Sequence, residues 1–142
     1  MAEEIKGRSR HVELTIDQLV ELQPGLGRLM PEGGRRYWIL YYAARGGNWA
    51  LAGHQLRQIR HLFVVGATTR PNMAQHLQAF VKGTLAGLEA TLDDHDWEAF
   101  DRLYREGVES ANRFHVVVQH PEIRWRLPSA PPEDLDLGEG GR

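Results

Sequence analysis

Four consecutive stretches of this chain repeat apolar residues at intervals of three and four, and each is fenced by a proline, a glycine pair or a polar cap. That spacing lays the apolar side chains along one face of an α-helix, and such a face must be covered by another element. The first stretch opens at Pro31, which suits the first turn of a helix because its missing N–H has no partner there anyway. It carries Tyr37, Trp38, Tyr41 and Tyr42, has Leu40 and Ala44 on a second flank, and stops at Gly46-Gly47. Asn48 caps the second, whose stripe is Trp49, Ala52, Leu56, Ile59 and Phe63, ending over Gly66 to Arg70. Pro71 opens the third, with Met73, Leu77, Phe80, Val81, Leu85, Leu88 and Leu92. Gly83 and Gly87 lie beside that stripe and either permit a close helix approach or merely weaken the helix. Asp93 to Asp96 is a turn. Asp96 caps the fourth helix, which carries Trp97, Phe100, Leu103, Tyr104, Val108, Ala111, His115 and Val118 and ends at Pro121.

Four such helices joined by short turns bury their faces best as an antiparallel bundle. The expected fold is all-α: a four-helix bundle with a short N-terminal helical arm and an extended C-terminal tail. The arm is Thr15 to Met30, beginning with a short helix over Thr15 to Gln23 that carries Ile16, Leu19, Val20 and Leu22 and is stopped or kinked at Pro24-Gly25. Leu26, Leu29 and Met30 carry an apolar face on to Pro31. A chain of 142 residues has room for one core, so a single domain is expected, with an ordered core of about 15–127 and a tail of 128–142. Ile123, Trp125 and Leu127 alternate with Arg124 and Arg126, an extended segment with one face on the body. A lone strand makes no sheet, so no β architecture is expected. From Pro128 the chain is rich in proline and acid, either a disordered tail or a strap anchored by Leu135 and Leu137, frayed from Gly138 to Arg142. Asn48-Trp49 and Asp96-Trp97 place a cap and an anchor at the same point of each half, either generic cap chemistry or the trace of two repeated hairpins.

Composition narrows the function classes. There is no cysteine, which excludes disulfides, thiolate metal sites, cysteine nucleophiles and thioether-attached haem. The formal net charge of -2 offers no polybasic attraction to nucleic acid or to an anionic membrane, so neither is expected as a partner. No apolar run is long enough to span a bilayer, and Met1 to Arg8 has no secretory pattern, so a cytoplasmic location is expected unless an export signal has been removed.

The segment YYAARGGNWALAGHQLRQI resembles a motif of small haem-carrying helical bundles of the cytochrome c' type. Those bundles have a Gly-Asn-Trp helix hairpin in the first half and Cys-x-x-Cys-His near the end of the last helix. The resemblance spans roughly Arg36 to Leu127. Asn48 and Trp49 match the hairpin; Ala111 and Phe114 stand where the cysteines would be, and His115 stands at the proximal ligand. Tyr37 is a further departure, at a position where relatives often have a polar residue or His. The resemblance implies a divergent member of that family that has lost covalent haem. Haem b on His115 stays open, and the electron-transfer role of the family depends on it.

The side chains offer few other sites. His115 follows Ala111 and Val108 on one helix face and is either a haem ligand or a rim histidine bonded to a carbonyl or a tyrosine. The many aromatic rings either pack the core or line a pocket for a flat ligand, in which case Tyr41, Leu56, Phe80, Ala111 and His115 would border it. His54 and His61 share a helix face with Gln58, and His76 could approach from the next helix; the set is either a mononuclear metal site or a solvated flank. No Glu-x-x-His pair of a di-iron bundle occurs. Asp93, Asp94, His95 and Asp96 read as a surface turn. Arginine outnumbers lysine 15 to two, through codon bias or to hold an anionic ligand, a partner or the acidic tail with Arg35-Arg36, Arg57-Arg60 and Arg124-Arg126. P-loop, GxGxxG, HExxH and nucleophile-elbow motifs are absent, and Ser110 has no triad around it, so no reaction is assigned. The expected function is non-covalent binding of a small molecule or a protein partner. The alternatives are a haem b protein with His115 as proximal ligand, serving redox or gas binding or acting as an enzyme, and a homodimeric scaffold.

Overall fold

The computed structural model describes residues 2–138. Its body is the expected bundle. Helix α2 spans Leu26–Arg45, α3 spans Trp49–Thr69, α4 (Ala74–Phe80) and α5 (Ala86–Ala90) form the third rod, and α6 spans Trp97–Val117. Two side-chain pairings set α2 antiparallel to α6, and a third joins α3 to α5. Tyr37 meets Tyr104 and Tyr41 meets Asp101 between α2 and α6, while Arg60 meets Glu89 between α3 and α5. The caps read from sequence are present: Asn48 Oδ1 accepts from the Leu51 N–H, and Asp96 Oδ1 accepts from the Ala99 N–H. Gly47 ends the α2 turn in the left-handed region at φ 83°, where a Cβ would be strained.

Leu40, Ile59, Leu85 and Leu88 are essentially fully buried, each worth about 1.5–3 kcal/mol of transfer from water. Tyr104 and Phe100 are buried among them. All the long helices contribute, which is why the periodicity of each was legible.

Three local expectations need correcting. The N-terminus is not a helical arm alone. It is a hairpin of β1 (Lys6–Arg8) and β2 (Glu13–Thr15), antiparallel with Gly7 opposite Leu14, followed by the short helix α1 (Ile16–Glu21). Val12, Leu14 and Ile16 alternate with Glu13 and Thr15, a period of two, and Ser9 Oγ accepts from the His11 and Val12 N–H groups to close the turn. Thr15 then ends the strand and caps α1 in a reciprocal box with Gln18. Second, Pro31 lies inside α2, not at its start. Leu29, buried on the preceding turn, draws the helix back to Leu26, and the carbonyl left without a partner by Pro31 belongs to Gly27, which faces solvent. Third, the third rod is broken by one π-helical turn, Val81–Leu85. Of the two readings left open for Gly83 and Gly87, close approach is not seen at Gly83, where a Cβ would meet nothing within 4 Å, while at Gly87 it would meet Leu103 of α6 at 3.6 Å, an ordinary contact.

The chain beyond α6 is an extended strap, not a free tail. Trp125 exchanges two main-chain bonds with the Asn112 side chain, at 2.8 and 2.9 Å. Further on, Tyr42 donates to the Pro128 carbonyl, Trp38 Nε1 to the Ala130 carbonyl and Asn48 Nδ2 to the Leu137 carbonyl. Leu137 is buried. Arg35 holds Asp134 at 2.7–2.8 Å, one of the contacts expected of the arginine-rich surface; Arg36 turns instead to Glu32 and Gln55. The fraying expected toward Arg142 concerns residues 139–142, which lie outside the described residues.

Candidate functional site

The densest chemistry in the bundle is a run of phenols between α2 and α6. Tyr37, Tyr41 and Tyr104 sit at helical spacing on two facing stripes, so their rings converge. Tyr37 and Tyr104 stack with centroids 4.0 Å apart, and Trp125 of the strap closes over Tyr37 at 5.4 Å. Burial pushes both phenols far above their ordinary pKa. Tyr41 is also raised, first by burial and then by its hydrogen bond to Asp101. Tyr41 donates to Asp101 Oδ1 at 2.9 Å, and Arg105 donates to both, at 3.0 Å each. At neutral pH these phenols are protonated, so the cluster supplies hydrogen-bond donors that fasten main chain and carboxylate. Asp101, Arg105 and Asn112 were missed in sequence. Their i,i+4 spacing was visible for Asp101 and Arg105, but nothing local says that Tyr41 completes the group.

The residues expected around a cofactor do not gather at one level. Tyr41, Leu56 and Phe80 belong to the buried core and Ala111 packs against it. Tyr41 is fastened at Asp101, fourteen residues before His115 on α6, a distance of about 20 Å along a helix. His115 is half-buried, and its Nδ1 lies 2.8 Å from the Ile123 carbonyl. It therefore joins α6 to the turn that starts the strap, as the rim reading would have it, and its Nε2 is the nitrogen left for any ligand. His54 and His61 are exposed on α3, while His76 is half-buried against the ring of Phe114. Among the described residues, no group of three His, Asp or Glu side chains converges as a metal site. Asp93 to Asp96 is a turn, with His95 stacked on Trp49.

The other unusual surface is the N-terminal unit, residues 4–22. Among the described residues, six of the eleven well-exposed large apolar side chains are Ile5, Val12, Ile16, Leu19, Val20 and Leu22. Four more, Val64, Val116, Val117 and Ile123, lie toward the ends of α3 and α6 that the antiparallel order puts beside the start of α2. One end of the bundle thus carries ten of the eleven well-exposed large apolar side chains among the described residues, which is where the excess becomes informative. Two surface clefts open on the same unit, one lined by Glu21, Leu22, Gly25 and Arg70, the other by Glu4, Ile5, Thr15 and Ile16. The alternation through Val12, Leu14 and Ile16 was the signal that sequence reasoning passed over.

No family model, no curated protein and no solved structure matches this chain. The fold itself is a cysteine-free helical bundle, and no helix among the described residues is long and apolar enough to cross a membrane.

Proposed function

We propose that this chain is a protein-binding helical bundle that docks its partner, without covalent chemistry, through the end carrying the N-terminal hairpin and α1. The observation that carries this reading is the concentration of exposed apolar side chains there, with Ile5 70% and Val20 63% exposed. Leaving that surface in water forgoes about 25 cal/mol for each Å² that a partner would cover. The interior supports the same reading, since its rings are engaged with one another and with the strap. A cytochrome c'-type origin without covalent haem is compatible with it and rests on the Gly-Asn-Trp hairpin and His115.

The test is a benzophenone side chain placed at Val20, and separately at the exposed Gln78 on α4, in the cells that make the chain. Illumination is expected to give a discrete adduct with a protein, another chain or a second copy, from position 20 and none from position 78. Equal labelling from both positions, or none from position 20, overturns the proposal.

A further inference from the structure

Resting on that reading, we infer that the partner at this end is a second copy of the same chain, paired edge to edge through β1. A two-stranded sheet by itself is marginal in water, and this one has both edges open. The hairpin is also amphipathic. Residues directly opposite one another share a face, so Gly7 and Leu14 lie on one side and Arg8 and Glu13 on the other. Leu19 of α1 approaches the Gly7 side at 3.9 Å from where a Cβ would stand. By the same alternation Ile5 falls on the Gly7 side, yet it remains open to solvent.

The direction of the backbone groups selects the pairing. Ser9 N–H donates to the Val12 carbonyl at 2.9 Å, which makes Ser9 and Val12 a bonded pair. Bonded and non-bonded pairs alternate along an antiparallel ladder. Gly7 therefore turns its N–H and C=O toward β2, and Lys6 and Arg8 turn theirs to the free edge; continuing the strand, so does Glu4. Two copies of β1 related by a two-fold axis can bond only with these even-numbered residues facing one another. With the axis on Lys6, that side chain meets its own copy. With the axis on Gly7, Lys6 meets Arg8. With the axis on Ile5, Glu4 meets Lys6 twice and the two Ile5 side chains meet at the axis, about 4.5 Å apart at Cα. The last arrangement alone joins opposite charges without opposing two cations, and it covers the most exposed apolar residue of the unit. The present contacts of Lys6, 3.8 Å to Glu4 and 4.0 Å to Glu13, are exposed and loose enough to regroup.

Sedimentation of the full chain across the micromolar range tests this. The unaltered chain is expected to be a dimer. Glu4→Lys and Lys6→Glu are each expected to weaken self-association about tenfold, because each puts like charges opposite one another at two places. Mixing the two variants is expected to restore the dimer as a heterodimer, since every Lys then faces a Glu. Loss of hairpin structure cannot imitate that rescue. A monomeric unaltered chain, or a dimer indifferent to both substitutions, overturns the inference. If the chain is monomeric but position 20 still captures a different protein, the docking reading survives without self-pairing; if position 20 captures nothing, both fall.

Discussion

Tyr37 and Tyr104 hold each other's main chain. Tyr37 Oη donates to the Tyr104 carbonyl at 3.0 Å, Tyr104 Oη donates to the Tyr37 carbonyl at 2.7 Å, and the two rings lie stacked between them. The pair locks the height of α2 against α6, because either helix sliding along its axis breaks both bonds at once. This lock sets where Asn112, and through it the strap, meets α2.

Replacing either tyrosine by Phe keeps the stack and removes one bond, an expected loss of about 1 kcal/mol in urea unfolding. The double variant is expected to lose less than the two singles together, with a coupling of about 0.5 kcal/mol or more, because the second bond has already loosened when the first is gone. Strict additivity would mean that the two bonds act independently and that the lock is not reciprocal.

Gly107 marks a close approach of α6 to its neighbours. A Cβ there would collide with the Tyr37 hydroxyl and with Thr84 Cγ2, which belongs to the π-helical turn. Gly107→Ala is therefore expected to destabilise by about 1–3 kcal/mol even though Ala is the better helix former. Gly83→Ala, where the added methyl meets nothing within 4 Å, is expected to be neutral or to stabilise by up to about 1 kcal/mol. Thermal unfolding of both variants checks the opposite signs.

These two glycines show where sequence reading reaches its limit. Helical stripes, the caps at Asn48 and Asp96 and the stop at Gly46-Gly47 depend on neighbours a few residues away, so they could be read locally. Whether Gly83 or Gly107 marks the close approach depends on the rotation of the third rod, and the extra residue in its π-helical turn changes that rotation. The strap was half legible: the alternation through Trp125 gave its face, but its path depends on donors from Trp38, Tyr42 and Asn48, 86 to 92 residues away in the chain. The hairpin was missed for a different reason. Three-residue strands carry little pattern, so the helical signal began only at Thr15 and the residues before it were left unassigned. The candidate cofactor residues shared apolar character and helical phase, which fixes a face but not a height along the bundle, so Tyr41 and His115 could not be separated without the structure.

Alkaline unfolding should report the phenols. Tyr37, Tyr41 and Tyr104 have raised pKa values in the fold, chiefly through burial. Their contribution to stability is then complete below the unfolded value of about 10 and is lost as pH rises beyond it toward the folded values. Phenolate absorbance is expected to appear together with loss of the helical circular dichroism above that pH. Ionisation of most of the tyrosines with the helices intact would contradict the burial of this cluster.

Acid should loosen the strap before the bundle. Arg35, hydrogen-bonded to Asp134, holds that carboxyl below its ordinary range. Its support is present above the unfolded value of about 3.9 and is lost as pH falls through the lower, folded one. Both side chains are exposed, so the effect is small and salt-sensitive. Faster amide exchange around Asp134 below pH of about 4, with α3 unchanged, is the expected result, and Asp134→Asn should show it at neutral pH. Exchange that is the same in the variant and the unaltered chain would remove this pair from the forces holding the strap.

His115 separates the docking reading from the haem reading. Its Nδ1 contact with the Ile123 carbonyl ties the last turn of α6 to the strap, so His115→Ala is expected to cost about 1 kcal/mol and to lower the melting temperature by a few degrees. The damage should stay local: faster exchange from Ile123 to Trp125, with the Tyr37–Tyr104 lock intact. Titrating haemin into the unaltered chain asks whether Nε2 also serves a metal. If the imidazole acts only at the turn, no Soret band will depend on it, and any weak band will persist in His115→Ala. A sharp band that vanishes in the variant would make His115 an iron ligand, turn the docking end into a secondary feature and restore the redox or gas-binding role.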